Sequence, residues 1–230
     1  MGAAVNVPKQ AELKQAAANW AVAQLKDGMI VGLGSRSTAS FAVAEIGRLV
    51  KAGLRIVGIP TSENTAEQAR CLGIPLSTLG EHPEIDVTID GADQVELRTL
   101  NLIKGGGGNL LREKIVATAS KRLVIVVDHT KLVDRLHTQV PVEVAQFGWQ
   151  STARRLAALG SEPTARVDAQ DKMFVTDGGN FIMDCAFRSI ESVEELQSRL
   201  DATVGVVEHG LFIGLAPQVV VGDPGGVRVL

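Results

Sequence analysis

Four short, mostly β-branched runs, Met29 to Leu33, Arg55 to Ile59, Asp86 to Ile89 and Arg122 to Val127, punctuate the first half of the chain. They hardly alternate apolar with polar residues, so a sheet made from them must be covered on both faces. Parallel strands joined through crossover helices meet that condition. Amphipathic stretches lie between the runs: Leu13, Ala17, Trp20 and Ala21 fall at i, i+4, i+7 and i+8, and Ala42, Ile46, Leu49 and Val50 repeat the spacing, each set making one apolar stripe. The sequence therefore predicts an α/β fold with a parallel sheet. Beyond about residue 137 the order changes to strand (Val140 to Val144), helix (Ser151 to Leu159), strands (Ala165 to Val167, Lys172 to Thr176, Asn180 to Cys185) and helix (Ser192 to Leu200). That order suggests a small α+β unit. Leu211 to Leu215 and Val219 to Val221 are positioned to return to the first sheet, which divides the chain into 1–136 with 208–230, and 137–207. A length of 230 residues suits two unequal units of this kind.

Composition narrows the function classes. Lys+Arg 23 against Asp+Glu 26 leaves a net charge of −3, and the aromatic residues are Phe 6 and Trp 2 with no Tyr. A nucleic-acid surface needs phosphate-neutralising charge and commonly stacking rings, and both footprints are missing. Cys71 and Cys185 stand 114 residues apart, and the spacings CxxC, HxxxH and HExxH do not occur, which points to a reduced compartment and no metal. Met1 to Gln24 carries Lys9, Glu12 and Lys14 without a continuous apolar stretch, so neither a signal peptide nor a membrane span is expected, and the cytoplasm is the expected location. Gly2 follows Met1, but Asn6 stands where a myristoylation signal has Ser or Thr. None of His82, His129, His137 and His209 has ligand spacing; they read as solvated or packed, His129 being the one near a candidate substrate loop.

In a parallel sheet, chemistry gathers at the carboxyl ends of the strands, where loops meet helix amino-termini. Three loops qualify. Gly32-Leu33-Gly34-Ser35-Arg36-Ser37-Thr38 offers backbone N–H groups and three hydroxyls to an anion, while the same residues also fit a polar helix cap. Ser37 stands where a dinucleotide fingerprint has its third glycine, and the first acid after the next strand, Glu63, lies too far on for a ribose contact, so a small phosphorylated molecule fits better than NAD. Asp90-Gly91-Ala92-Asp93 follows the third strand. It reads either as a turn or as two carboxylates facing a polyol. Lys104-Gly105-Gly106-Gly107-Gly108 leads into a helix carrying Glu113. It is either a flexible connector or a backbone surface that a ligand can approach closely beside a lysine, and it lacks the GK[ST] ending of a nucleotide-binding loop.

Gly-Leu-Gly-x-x-Ser-Thr, Ile-Pro-Thr-Ser, Asp-Gly-Ala-Asp, Lys-Gly-Gly-Gly-Gly-x-Leu-x-Arg-Glu-Lys, Val-Asp-x-x-Lys and Thr-Asp-x-Gly-Asn occur in this order over nearly the whole chain. Together they resemble the type A ribose-5-phosphate isomerases. The resemblance implies interconversion of D-ribose 5-phosphate and D-ribulose 5-phosphate in the pentose phosphate pathway, without metal or organic cofactor, by a homodimer or homotetramer. It also implies a Rossmann-like α/β/α domain bearing a smaller ferredoxin-like one. By the same resemblance Glu113 is the general base, Lys104 steadies the developing oxyanion, and Asp90 and Asp93 are the paired aspartates. Substrate contacts fall on Ser35, Arg36, Ser37 and Thr38, on Gly91 and Ala92 between the aspartates, on Gly105, Gly106 and Gly107, and on Lys131 and Lys14. One departure matters. Arg36 stands at a glycine of the usual Gly-Thr-Gly-Ser-Thr and either strengthens phosphate binding or reshapes the loop. Gln94 for an acid and Gly178 for an Asn are expected to leave the chemistry untouched.

The residue types suit the implied reaction on their own terms. Moving a proton between adjacent sugar carbons through an enediolate needs a base that reaches both carbons and a cation or N–H group at the oxygen that becomes negative. A positioned base contributes about 10² to 10⁴ in rate and one oxyanion donor about 2.7 to 4 kcal/mol, so binding of the remote phosphate has to supply the remainder. Two other readings use the same residues: acyl transfer between coenzyme A thioesters with Glu113 as nucleophile, and a non-catalytic sugar-phosphate sensor. The sensor reading is weakened by the single helix and absent basic patch of Met1 to Asp27.

Overall fold

Leu123, Ile125 and Val127 pack in one apolar cluster and Val124 and Val126 in another, and all five are buried. A strand whose two faces enter two different cores lies inside a sheet with cover on both sides. The computed structural model describes residues 9–137 and 139–230. In chain order the elements are α1 (Gln10–Val22), β1 (Ile30–Leu33), α2 (Arg36–Lys51), β2 (Val57–Pro60), α3 (Glu63–Leu72), β3 (Val87–Asp90), β4 (Gln94–Glu96), β5 (Leu102–Ile103), α4 (Leu110–Thr118) and β6 (Leu123–Asp128). A 3₁₀ turn (His129–Lys131) leads on to β7 (Leu132–Val133), β8 (Gln139–Val144), α5 (Trp149–Ala158), β9 (Ser161–Ala165) and β10 (Phe181–Phe187), followed by α6 (Val193–Asp201), β11 (Val206–His209), β12 (Leu211–Phe212), β13 (Gln218–Asp223) and β14 (Gly226–Val229).

The main sheet has the order β14-β13-β6-β3-β1-β2, parallel throughout except for β14 at its edge. Residues of α1, α2 and α3 build the core on one face with Val31, Leu33, Val124 and Val126. On the other face, Ala117 of α4 packs with Val95, Leu102 and Phe212 of a third sheet, β12-β5-β4-β7. The second sheet, β11-β8-β10-β9, is antiparallel and its elements run βαββαβ, so its spatial order 4-1-3-2 is the ferredoxin-like arrangement. The α/β class expected from the sequence is present, and α4 packs against both β8 and β11 of this second sheet.

Several local expectations differ from what is found. Residues 172–176 form no strand: isolated bridges join Val167 to Met173 and Val175 to Phe181, with a tight turn at 168–172 held by Asp168 Oδ1, which accepts from the N–H groups of Gln170 and Lys172. The strand expected at Ala165 to Val167 lies earlier, as β9, whose Pro163 is tolerated because β9 is an edge strand. Leu211 to Leu215 pairs for only two residues, with β5 rather than the main sheet, before Gly214 turns at φ 69°. Trp20, placed in the α1 stripe by spacing, is 36% exposed while Leu13, Ala17 and Ala21 are buried.

Candidate active site

β1 runs through α2 to β2 on one side, and the chain then returns to place β3 on the other side of β1. The loops leaving β1 and β3 therefore diverge, and a crevice opens at their carboxyl ends. Gly34 permits the two loops to touch, since a Cβ there would run into Asp90. The N–H of Ser35 donates to Asp90 Oδ1 at 3.1 Å. Ser35 precedes α2 but gives it no side-chain cap. Its hydroxyl donates instead to Glu113 Oε1 and accepts from Asn109 Nδ2 at 3.3 Å.

Three ionisable groups meet under the crevice, all nearly inaccessible: Asp90, Lys104 and Glu113. Lys104 Nζ donates to Asp90 Oδ2 at 2.9 Å and to the Gly91 carbonyl at 2.6 Å, and lies 3.2 Å from Glu113 Oε2. That oxygen has no other partner among the described residues. Burial alone would discharge Lys104, but the carboxylates of Asp90 and Glu113 outweigh it and hold the ammonium well above its ordinary range. Burial pushes Asp90 up to about 6, against the pull of Lys104 and with the push of Glu113. Glu113 enters from α4, one turn in from an amino-terminus preceded by Asn109, and the ring of Phe212 lies 5.5 Å from Lys104 Nζ.

Above this cluster is a small open cavity of about 70 Å³. Ser35 to Thr38 form one wall, Gly91 to Asp93 another, and Lys104, Gly105, Glu113 and Lys131 complete it. Asp93 accepts from Arg36 Nη1 at 3.0 Å and from the Gly106 N–H at 2.8 Å. Lys131 sits in the 3₁₀ turn after β6, capped by Asp128, which also accepts from Gln10. Lys14 Nζ donates to Ser37 Oγ at 3.2 Å from behind the loop.

The loops singled out in the sequence thus converge, with differences of detail. Asp90 does not line the cavity: it faces inward and holds Lys104, so the two aspartates do not present themselves side by side as the Asp-Gly-Ala-Asp spacing suggested. Gly106, Gly107 and Lys14 border the cavity without lining it. Arg36 takes φ 70°, the left-handed conformation that costs a side-chain-bearing residue about 1–2 kcal/mol. The arginine therefore bears the strain of a conformation that glycine takes freely. Asn109, Asp128 and Phe212 act on site residues without having been assigned roles from sequence. Asn109 could have been suspected as the residue opening the helix, whereas Phe212 carries no local signal. Thr61 and Ser62 of the Ile-Pro-Thr-Ser run are structural: Thr61 Oγ1 donates to the Leu33 carbonyl and Ser62 caps α3.

A carboxylate and an ammonium 3.2 Å apart in one wall, next to a helix amino-terminus at a topological switch point, are the groups that proton transfer between adjacent carbons of a phosphorylated sugar requires, which is the chemistry of the aldose–ketose isomerases. The sequence profile of "Ribose 5-phosphate isomerase A (phosphoriboisomerase A)" matches residues 57–226. A ribose-5-phosphate isomerase A from Gloeobacter violaceus is 56% identical over 220 residues, covering 95% of each chain. The solved ribose 5-phosphate isomerase A of Methanocaldococcus jannaschii superposes with a TM-score of 0.92 at 39% identity over 96% of this chain and 99% of that one. A D-ribose-5-phosphate isomerase solved in complex with phospho-erythronic acid gives 0.93 at 35% identity, over 97% and 99%. The chain belongs to the ribose 5-phosphate isomerase A family and is an isomerase.

Proposed function

We propose that the protein interconverts D-ribose 5-phosphate and D-ribulose 5-phosphate by a one-base proton transfer in this cavity. Glu113 removes the proton from C2 of the open-chain aldose and returns it to C1. The intervening enediolate carries its negative charge on O1, where the Lys104 ammonium steadies it, and the proton on O2 passes to O1. Asp93, about one-third exposed at the cavity wall, assists ring opening and that oxygen-to-oxygen transfer, while Asp90 holds Lys104 in place and charged. The phosphate end rests on Ser37, Thr38 and the α2 amino-terminus, with Lys131 and Lys14 supplying charge. The observation that carries this reading is the placement of Glu113 and Lys104, 3.2 Å apart in the wall of a cavity beside the α2 amino-terminus. The solved relative holding a phosphorylated four-carbon acid supports a sugar-phosphate ligand.

Incubation with ribose 5-phosphate in heavy water containing a chelator should yield ribulose 5-phosphate with deuterium at the exchanging carbon, followed by NMR. Glu113→Gln, which keeps the shape of the side chain, should fold normally and lose about 10² to 10⁴ in kcat. Full activity in that variant would remove Glu113 from the mechanism. We further propose a catalytic unit of residues 1–136 with 208–230, a small unit of 137–207 to whose sheet β11 (Val206–His209) adds Glu208 and His209 across that boundary, a homodimer or homotetramer, and a cytoplasmic location. Among the described residues no helix is long and apolar enough to cross a membrane. Sedimentation of a monomer at assay concentration would remove the oligomer from this reading.

A further inference from the structure

Arg36 stands where the sequence resemblance has a glycine, and its side chain is laid across the site. The aliphatic stem lies flat on Gly107, where a Cβ would collide with Arg36 Cγ and Cδ, and Nη1 crosses Gly106 to reach Asp93 Oδ1 at 3.0 Å. The arginine thus spans from the amino-terminus of α2 to the opposite wall. It is half exposed and Asp93 about one-third exposed, so neither is locked by packing. Its Cα lies in the same turn as Ser37 and Thr38, so rotation about side-chain bonds alone keeps the guanidinium within reach of an anion at that helix end.

We propose that Arg36 is a partner-exchanging strap that couples phosphate recognition to release of Asp93. With no phosphate bound, Arg36 reaches across one side of the cavity and occupies Asp93. An arriving phosphate dianion offers the guanidinium a more highly charged, bidentate partner. Arg36 moves to it, and Asp93 becomes free to accept a sugar hydroxyl. A sugar without phosphate cannot release the strap, so Arg36 sharpens the preference of the site for phosphorylated substrates. This inference rests on the sugar-phosphate reading above and adds to it a residue that reinforces that choice.

The test is a double-mutant cycle read as competition by inorganic phosphate against ribose 5-phosphate, and as direct phosphate binding by calorimetry, with Asp93→Asn and Arg36→Gly. Removing the Asp93 charge relieves repulsion of phosphate in either background; only with Arg36 present does it also free the strap. Asp93→Asn should therefore tighten phosphate about two- to fivefold more in the Arg36 protein than in the Arg36→Gly protein, the range set by a half-exposed ion pair. Arg36→Gly should weaken phosphate while leaving the affinity for unphosphorylated ribose unchanged or improved. Equal gains in the two backgrounds, phosphate that fails to compete, or parallel loss for ribose and ribose 5-phosphate would each overturn the strap. Failure of the parent protein to isomerise ribose 5-phosphate would instead overturn the functional reading, so the two failures are distinct. Binding carries the cycle because Asp93→Asn is expected to impair turnover. Glycine accommodates φ 70° without strain, so the Arg36→Gly chain folds.

Discussion

Lys104 is held charged by two carboxylates that are themselves denied solvent, and the arrangement has a pH signature. Burial raises Asp90 to about 6, with Lys104 lowering and Glu113 raising it. A carboxylate raised in the folded state favours the fold below its ordinary range and loses that contribution as pH climbs through about 6. Activity runs the other way, because protonated Asp90 no longer balances Lys104. We expect kcat/KM to fall as pH drops through about 6, and Asp90→Asn to lose that limb; a limb unchanged in Asp90→Asn would reassign it. Arg36 makes the second residue-scale prediction. Relieving its left-handed φ should leave Arg36→Gly as stable as the parent or more so, by up to about 1 kcal/mol in urea unfolding. A loss above about 1 kcal/mol would mean that the pair with Asp93 outweighs the strain. The residue types at this site were legible in the sequence, but which aspartate faces the cavity was not, because Asp90 and Asp93 differ only in the strand end and loop that carry them.

At the scale of elements, α4 is held on both sides of Glu113. Arg112 pairs with Glu63 and Asp177, and Lys114 with Glu208 and the His209 carbonyl. His209 is buried against Asp201 and accepts from the Leu211 N–H through Nδ1, so burial first and the Lys114 charge second lower its pKa. Asp201, Glu208 and His209 approach one another closely enough for a metal, but Lys114 already neutralises Glu208 and the backbone uses Nδ1. Asp177 does double duty, accepting the Glu63 N–H at the start of α3 at 2.8 Å. Asp177→Ala should therefore cost about 1 kcal/mol of stability, as for loss of a helix cap, measured by urea unfolding; a neutral result would show that water replaces the carboxylate. The Thr-Asp-x-Gly-Asn run was visible in the sequence as a motif. Its role was not, since residues 172–176 look β-branched enough for a strand and are instead bent so that Asp177 meets α3 and Phe174 lies over Gly108.

Across the whole molecule, the carboxyl terminus completes the sheet that the amino-terminal half begins. β13 inserts between β6 and β14, burying Val219, Val220 and Val221 completely, and β12 brings Phe212 under Lys104. A chain ending at Ala216 exposes the β6 edge and both cores, so it should show no cooperative thermal transition; a folded, active truncation would contradict the topology. The ferredoxin-like unit is threaded between these two halves, so α4 and Glu113 are clamped between layers that are distant in sequence.

Periodicity and residue type, both local properties, determined the α/β class, the amphipathic helices and the three loops that meet at the cavity. They also placed Glu113 on a helix and Lys104 before it. Only the tertiary structure decided that Asp90 turns inward to charge-balance Lys104, that Arg36 reaches across to Asp93, and that short strands such as β4, β5, β7 and β12 form a third sheet. Those outcomes depend on which backbones come within hydrogen-bonding distance after the chain closes, and contacts across 50 or 100 residues leave no periodic trace in the segments that make them.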